Sequence, residues 1–181
     1  MKLKKADIAM LVIIVLIILS GLLVIFTFGG NKKEVSPRGD SFVLTDTKEE
    51  LFCTMEIRCD TVIERLEDLV PKKAEYIPQN GVILEKTKVS FQQGENVFEV
   101  LQRVCKEANI QLEYSYVPLY NSYYIEGINH LYEFDCGRQS GWMYQVNGIF
   151  PEYGSSSYKV EPGSEIVWYY TCQGLGADLE D

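Results

Sequence analysis

The chain has 181 residues and a formal net charge of −9, and 46% of its residues are hydrophobic. That length gives one modest domain plus an appendage. Residues 1–30 hold three Lys and one Asp, so the remainder carries −11, a balance that excludes nucleic acid and anionic lipid as electrostatic partners and reads as solubility.

The appendage comes first. Lys2, Lys4 and Lys5 precede an apolar run from Ile8 to Phe28. A run of this length can cross a hydrocarbon core of roughly 30 Å as a helix. A cleaved signal peptide has a shorter apolar region and a small-residue exit, whereas this run leaves through Thr27-Phe-Gly-Gly30 and no Cys follows it. Residues 1–30 are therefore expected to be cytoplasmic lysines and an uncleaved transmembrane helix, with everything after them outside the cytoplasm. Residues 31–50, mostly charged and polar, read as a stalk. Arg38-Gly39-Asp40 within it is an adhesion-like tripeptide, too short to carry information. Residues 51–181 are the folded domain.

Cys53-Thr-Met-Glu-Ile-Arg-Cys59 alternates as a strand, with Cys53, Met55, Ile57 and Cys59 in phase. Thr61-Val-Ile-Glu64 has the spacing of a capping box and predicts a short helix that stops before Pro71. After a loop at 71–81, Val82–Phe91 reads as a strand. Asn96-Val-Phe-Glu99 is a second capping box. Val97, Leu101, Val104, Cys105 and Ala108 then repeat at helical spacing, so that helix buries one face, and Asn109 can end it in a left-handed conformation. Ile110–Tyr116 alternates as a strand, and residues 117–131 are expected to be irregular. Gly141–Val146 meets Asn147-Gly148, a strong hairpin signal, with Ile149-Phe150 as the expected return. Glu161-Pro-Gly-Ser164 suits a type II turn feeding a strand at 165–172 that sets Ile166, Trp168, Tyr170 and Cys172 on one face. Strand, helix, strands gives an α+β domain with one main helix on a sheet.

No C-x-x-C occurs among the five cysteines, which disfavours zinc and thioredoxin-type chemistry. Outside the cytoplasm thiols pair. A strand face meeting a helix face makes Cys59–Cys105 one expected bridge. Cys136 and Cys172, both bordering late aromatic strands, make the other, and Cys53 is left free. The alternative is that some of these are buried thiols.

Catalytic constellations do not accumulate. His130 is the single histidine and sits in no nucleophile context. No H-E-x-x-H, G-x-S-x-G, P-loop or G-x-G-x-x-G occurs. A pair of carboxylates could run glycoside hydrolysis, but 26 acidic residues make some pair inevitable. The chain is expected not to be an enzyme and to require no cofactor or metal. Aromatics remain. Eleven of the 12 tyrosines and both tryptophans lie between Tyr114 and Tyr170. Aromatics favour strands, yet one small sheet cannot bury them all. Tyr120, Tyr123 and Tyr124, in the irregular segment, are contact candidates. Trp142 and Tyr144 share one face of the hairpin strand, either as core or as an open platform for a flat ligand.

The strings YNSYYIEGINHLYEFDCGRQSGWMYQVNGIFPEYG, EPGSEIVWYYTC and GVILEKTKVSFQQGENVFEVL resemble a bacterial domain-of-unknown-function family similar to the carboxy-terminal domain of transcobalamin and intrinsic factor. The resemblance covers Cys53 to Gly176. It implies a β-grasp-like domain with a helix on a mixed sheet, on secreted or surface-anchored proteins. Members often carry a Cys in the loop after the hairpin, where this chain has Tyr153-Gly-Ser-Ser-Ser157, and that absence would leave Cys53 without a partner. In transcobalamin the domain covers one side of a corrinoid held against a helical domain, which this chain lacks. The functional expectation is a membrane-anchored extracytoplasmic module that binds cobalamin or another corrinoid through Tyr120, Tyr123, Tyr124, Trp142 and Tyr144. The alternative is a structural or protein-interaction module, such as an accessory subunit of a surface complex or transporter.

Overall fold

The computed structural model describes residues 50–179. Strand β1 (Leu51–Arg58) alternates half-buried and buried positions, so Cys53, Met55 and Ile57 face the core. It pairs antiparallel with β2 (Val82–Phe91) and parallel with β7 (Glu165–Thr171), and β7 pairs antiparallel with β6 (Gly141–Val146). The result is a mixed sheet in the order β2-β1-β7-β6. A second, antiparallel sheet holds β3 (Leu112–Val117), β4 (Ser122–Ile128) and β5 (Leu131–Tyr132). The fold is α+β and β-grasp-like, with one main helix.

A four-residue helix α1 (Asp60–Ile63) follows β1, and the main helix is α2 (Val97–Glu107). Asn96 begins α2 with a complete capping box: its side chain accepts from Glu99 N at 2.9 Å, and Glu99 Oε2 accepts from Asn96 N at 2.8 Å. Val97, Phe98, Val100, Leu101, Val104 and Cys105 make its buried face. Asn109 ends it at φ 54° while Ile110 N bonds back to Cys105 O at 2.8 Å, a left-handed stop that an asparagine tolerates. Removing the cap with Asn96→Ala is expected to lower stability by about 1 kcal/mol, read as a shifted midpoint with unchanged slope in a denaturant melt.

Two buried side chains fasten the sheets together. Tyr170 of β7 donates from its hydroxyl to Tyr132 O at 2.7 Å. Trp142 of β6 donates from Nε1 to Leu131 O at 2.9 Å. Both acceptors belong to β5, so one short strand receives a polar tie from each of two strands in the other sheet.

The structure departs from the sequence reading in several places. The helix expected from Thr61 onward shrinks to α1 and a series of turns. Thr61 is not its cap, because its hydroxyl donates to Tyr170 O at 2.6 Å, tying α1 to β7. Residues 117–131 are not irregular. They hold a 3-10 turn (Pro118–Tyr120) and β4, whose Glu126 has no partner in β3. An extra residue of this kind reverses the inward–outward phase and masks the strand pattern. Asn147-Gly148 does turn, at φ 53° and 79°, but the return is an isolated bridge between Val146 and Ile149. Asn147 N bonds instead to Glu165 O at 2.8 Å, and β7 takes the full length of β6.

The expectation of a preceding transmembrane helix is corrected. Among the described residues no helix is long and apolar enough to cross a membrane, and α2 has 11 residues. Residues 1–30 and all but the last residue of the stalk at 31–50, on which the anchor, its single-pass topology and its extracytoplasmic location rested, lie outside the described residues.

Cys136 and Cys172 are joined in a disulfide with Cα atoms 5.3 Å apart. Cys59 and Cys105 are not joined; with Cys53 they are buried free thiols. Strand phase and helix phase turn both inward, but an inward phase alone does not bring two sulfur atoms within bonding reach. Arg103 of α2 donates to Ser90 O at 2.8 Å, and Ser90 pairs with Phe52 at the start of β1. Cys59 lies just past the other end, six residues on from Cys53, roughly 20 Å along an extended strand. Burial pushes the Cys53 thiol up to about 11 and those of Cys59 and Cys105 to about 12, which keeps all three protonated and unreactive at neutral pH.

Candidate functional site: a tyrosine face on the second sheet

The five residues expected to form a platform separate into three places. Trp142 and Tyr144 lie on the core face of β6, each 8% exposed. The Trp142 ring meets Tyr170 edge-on at 5.2 Å, and Tyr144 packs on Trp168 at 5.4 Å. Tyr144 also donates its hydroxyl to Tyr153 O at 2.7 Å. Burial raises the pKa of that hydroxyl well above the usual tyrosine range, so it stays a donor. These two side chains are architecture and offer no open surface to a flat ligand.

Tyr123 and Tyr124 are neighbours on β4 and point to opposite faces of its sheet. Tyr124 is on the face away from Tyr123, where its hydroxyl lies near Gly141 of β6 and donates to Glu133 Oε2 at 2.7 Å. Partial burial, then the Glu133 carboxylate, push its pKa up. Tyr123 is on the face toward α2 and stacks on Phe98 at 4.5 Å and 16°. Tyr120 stands at the tip of the β3–β4 connection, 72% exposed.

Tyr123 belongs to a cluster that the sequence reading did not assemble. Tyr116 is its cross-strand partner, and their rings meet at 5.4 Å. Tyr114 meets both Tyr123 at 5.4 Å and Phe98 at 4.9 Å, edge-on. Phe98, 3% exposed, is the pedestal: it enters from the first turn of α2 and holds Tyr114 and Tyr123 upright. Tyr114 is fixed further by a 2.7 Å hydrogen bond from Gln102 Nε2, and Tyr116 by one of 2.7 Å to Asn121 Oδ1. The signal for this cluster was the Tyr-x-Tyr alternation at 114 and 116, followed after a turn by Tyr123.

The loop after β6 braces the same face. Tyr123 N donates to Ser156 Oγ at 3.0 Å, and Val97 N to Tyr158 O at 3.0 Å. Gly154 lies so close to β4 that a Cβ there would run into Ser122 Oγ. At the tip of the face, Leu119 is 83% exposed and Tyr116 50%. The face is therefore aromatic, held in place and open.

Between α2 and β3 runs an open groove of ≈ 540 Å³, lined among others by Glu99, Gln102, Arg103, Lys106, Leu112 and Tyr114. A second concavity of ≈ 840 Å³ lies at the start of β1 beside Glu95, Arg103 and Lys159, and a third of ≈ 490 Å³ beside the disulfide. None of the three is lined by any of the five expected residues. Among the described residues no group of three or more His, Cys, Asp or Glu is placed to hold a metal ion.

Two solved structures are similar to the chain. Haptocorrin in complex with Cbi aligns with a TM-score of 0.50 at 15% identity, over 79% of this chain and 27% of that one. The chain thus spans about a quarter of haptocorrin, and at that identity the likeness is one of fold. A protein of Ruminococcus gnavus ATCC 29149, described provisionally as metal binding, aligns at 13% identity with a TM-score of 0.38, over 67% of this chain and 97% of that one. No curated protein matches the chain. Residues 94–172, from the turn before α2 to the disulfide cysteine after β7, match the family described as Domain of unknown function (DUF4430), and the chain shares its fold with haptocorrin.

Proposed function

We propose that the domain is a protein-interaction module that presents the tyrosine face of β3 and β4. The observation that carries this reading is the Phe98 pedestal. Tyr114 and Tyr123 are packed against a buried ring yet remain 38% and 39% exposed. Aromatics already held in one rotamer supply contact area at little entropy cost, which is what binding anchors require. This replaces the membrane-anchored corrinoid platform, whose Trp142 and Tyr144 are in the core.

The reading assigns no chemistry to the domain. His130 is held in the β4–β5 turn with its ring against Tyr76 at 4.6 Å, and the free thiols are buried and protonated. A bound corrinoid is the second reading, supported by the fold shared with haptocorrin in its complex with Cbi.

Affinity capture with the full chain tests both. The wild-type chain is expected to retain a protein partner from native extract, and Tyr116→Ser with Tyr120→Ser to lose it at least about tenfold, as for interface anchors. The melting temperature should fall only slightly, because Tyr120 is exposed and the cross-strand contact of Tyr116 with Tyr123 is worth no more than about 1 kcal/mol. Retention by the double variant equal to wild type would sink the proposal. A saturable change in corrinoid absorbance on titration with the wild-type chain would favour the second reading instead.

A further inference from the structure

Three strands of six or more residues lie at sheet edges among the described residues, β2, β6 and β3; β6 already bridges Ile149 at its end, and the sequence treats the other two differently. The exposed stretch of β2 carries Lys86 and Lys88, charges that keep an edge from pairing. β3 reads Leu-Glu-Tyr-Ser-Tyr-Val, without Lys or Pro, and among the described residues no strand pairs with its outer edge.

We propose that the occupant of this edge is a second copy of the chain, paired antiparallel through β3 about a two-fold axis at Ser115. This rests on the interaction-module reading above and names its partner. Directly opposed residues of an antiparallel pair share a face. An axis at Ser115 therefore sets Tyr114 against the partner's Tyr116, and Tyr116 against the partner's Tyr114. Ser115 meets its own copy on the other face, where a small side chain leaves room. Glu113 falls opposite the partner's Val117, so no like charges oppose.

The charges on α2 agree with the same axis. Gln102 lies midway along the helix, and its bond to the hydroxyl of Tyr114 sets that midpoint level with the middle of β3. Glu99, Arg103 and Lys106 line the groove toward β3. A two-fold axis level with this midpoint, and displaced from the helix across the groove, lays α2 antiparallel to its copy. Glu99 then faces the partner's Lys106, and Lys106 the partner's Glu99. One axis thus matches strand and helix at once. The groove of ≈ 540 Å³ becomes half of a continuous seam, and two three-stranded sheets become one of six.

A cysteine on the axis tests this. Opposed Cα atoms in antiparallel strands lie about 4.5–5.5 Å apart, within disulfide reach. In the full chain, Ser115→Cys is expected to give mostly covalent dimer on mild oxidation. Thr87→Cys, on the exposed stretch of β2, should give at least about fivefold less. Both variants carry the same amino-terminal apolar run, so the difference reports β3 alone. Adding Lys106→Glu to Ser115→Cys should cut the dimer yield at least about fivefold without moving the melt. Equal cross-linking at positions 115 and 87, or none at 115, would overturn the self-pairing. If it fails while Tyr116→Ser with Tyr120→Ser still abolishes capture of another protein, the module reading stands with a different partner. If capture is also insensitive to those changes, both readings fail.

Discussion

Trp142→Ala is expected to destabilise the domain by about 3–5 kcal/mol, the range for emptying a buried aromatic site. Trp142 is 8% exposed, and its indole both packs on Tyr170 and donates to Leu131 O. Truncation opens a cavity and also leaves a buried carbonyl without its donor. Because that carbonyl is on β5, the damage falls on the junction of the two sheets. Tyr120→Ala is the contrast, with an expected change within about 0.5 kcal/mol, as for an exposed side chain. Denaturant melts of the two variants decide whether the hairpin strand is architecture. A Trp142→Ala loss as small as that of Tyr120→Ala would return Trp142 to the list of contact residues.

Loss of the Cys136–Cys172 bridge is the other large effect. The bridge closes a loop with a sequence separation of 36. Loop-closure entropy for that length gives about 4 kcal/mol of stabilisation, acting on the unfolded chain. Cys136 precedes Ser140, whose hydroxyl accepts from Cys136 N at 3.1 Å. Cys172 follows β7, and its N–H is held at 2.8 Å by Asp178 Oδ2. Both flanks are thus positioned independently of the sulfur atoms. The double change Cys136→Ser with Cys172→Ser is therefore expected to lower the denaturant midpoint while leaving the native circular dichroism intact. A midpoint that does not move, or a wild-type midpoint insensitive to reductant, would remove the bridge from the stability account.

Local chemistry was legible in the sequence wherever it was decided locally. The capping box at Asn96 and Glu99, the Asn109 stop and the Asn147-Gly148 turn need only neighbours a few residues away, and each forms as its residues require. What could not be read is what distant partners decide. Thr61 has the spacing of a cap, but the carbonyl of Tyr170 offers it a better acceptor. β4 was hidden because unpaired Glu126 breaks its alternation. Its tyrosines therefore looked like loop residues, and the pairing of Tyr116 with Tyr123 could not be seen. Trp142 and Tyr144 had a legible common face, but alternation alone does not say whether a face is core or open. That depended on β5 and the loop after β6 arriving beneath it. The cysteines show the same division: strand phase set Cys59 inward, but phase alone does not say what lies opposite.

The parallel pairing of β1 with β7 has a consequence for synthesis on the ribosome. β7 is the last strand among the described residues, yet it lies between β1 and β6 in the middle of the mixed sheet. The contact from Thr61 to Tyr170 spans 109 residues. Contacts of such separation form late, since the intervening loop must close before they return any energy. At roughly 5–20 residues per second, β1 waits several seconds after emerging before its neighbour exists. During that interval Met55 and Ile57 have no β7 to cover them, and β2 is the one strand β1 can pair with. Vectorial folding would therefore begin with the β1–β2 hairpin, and the sheet would be completed only once residue 171 has cleared the exit tunnel.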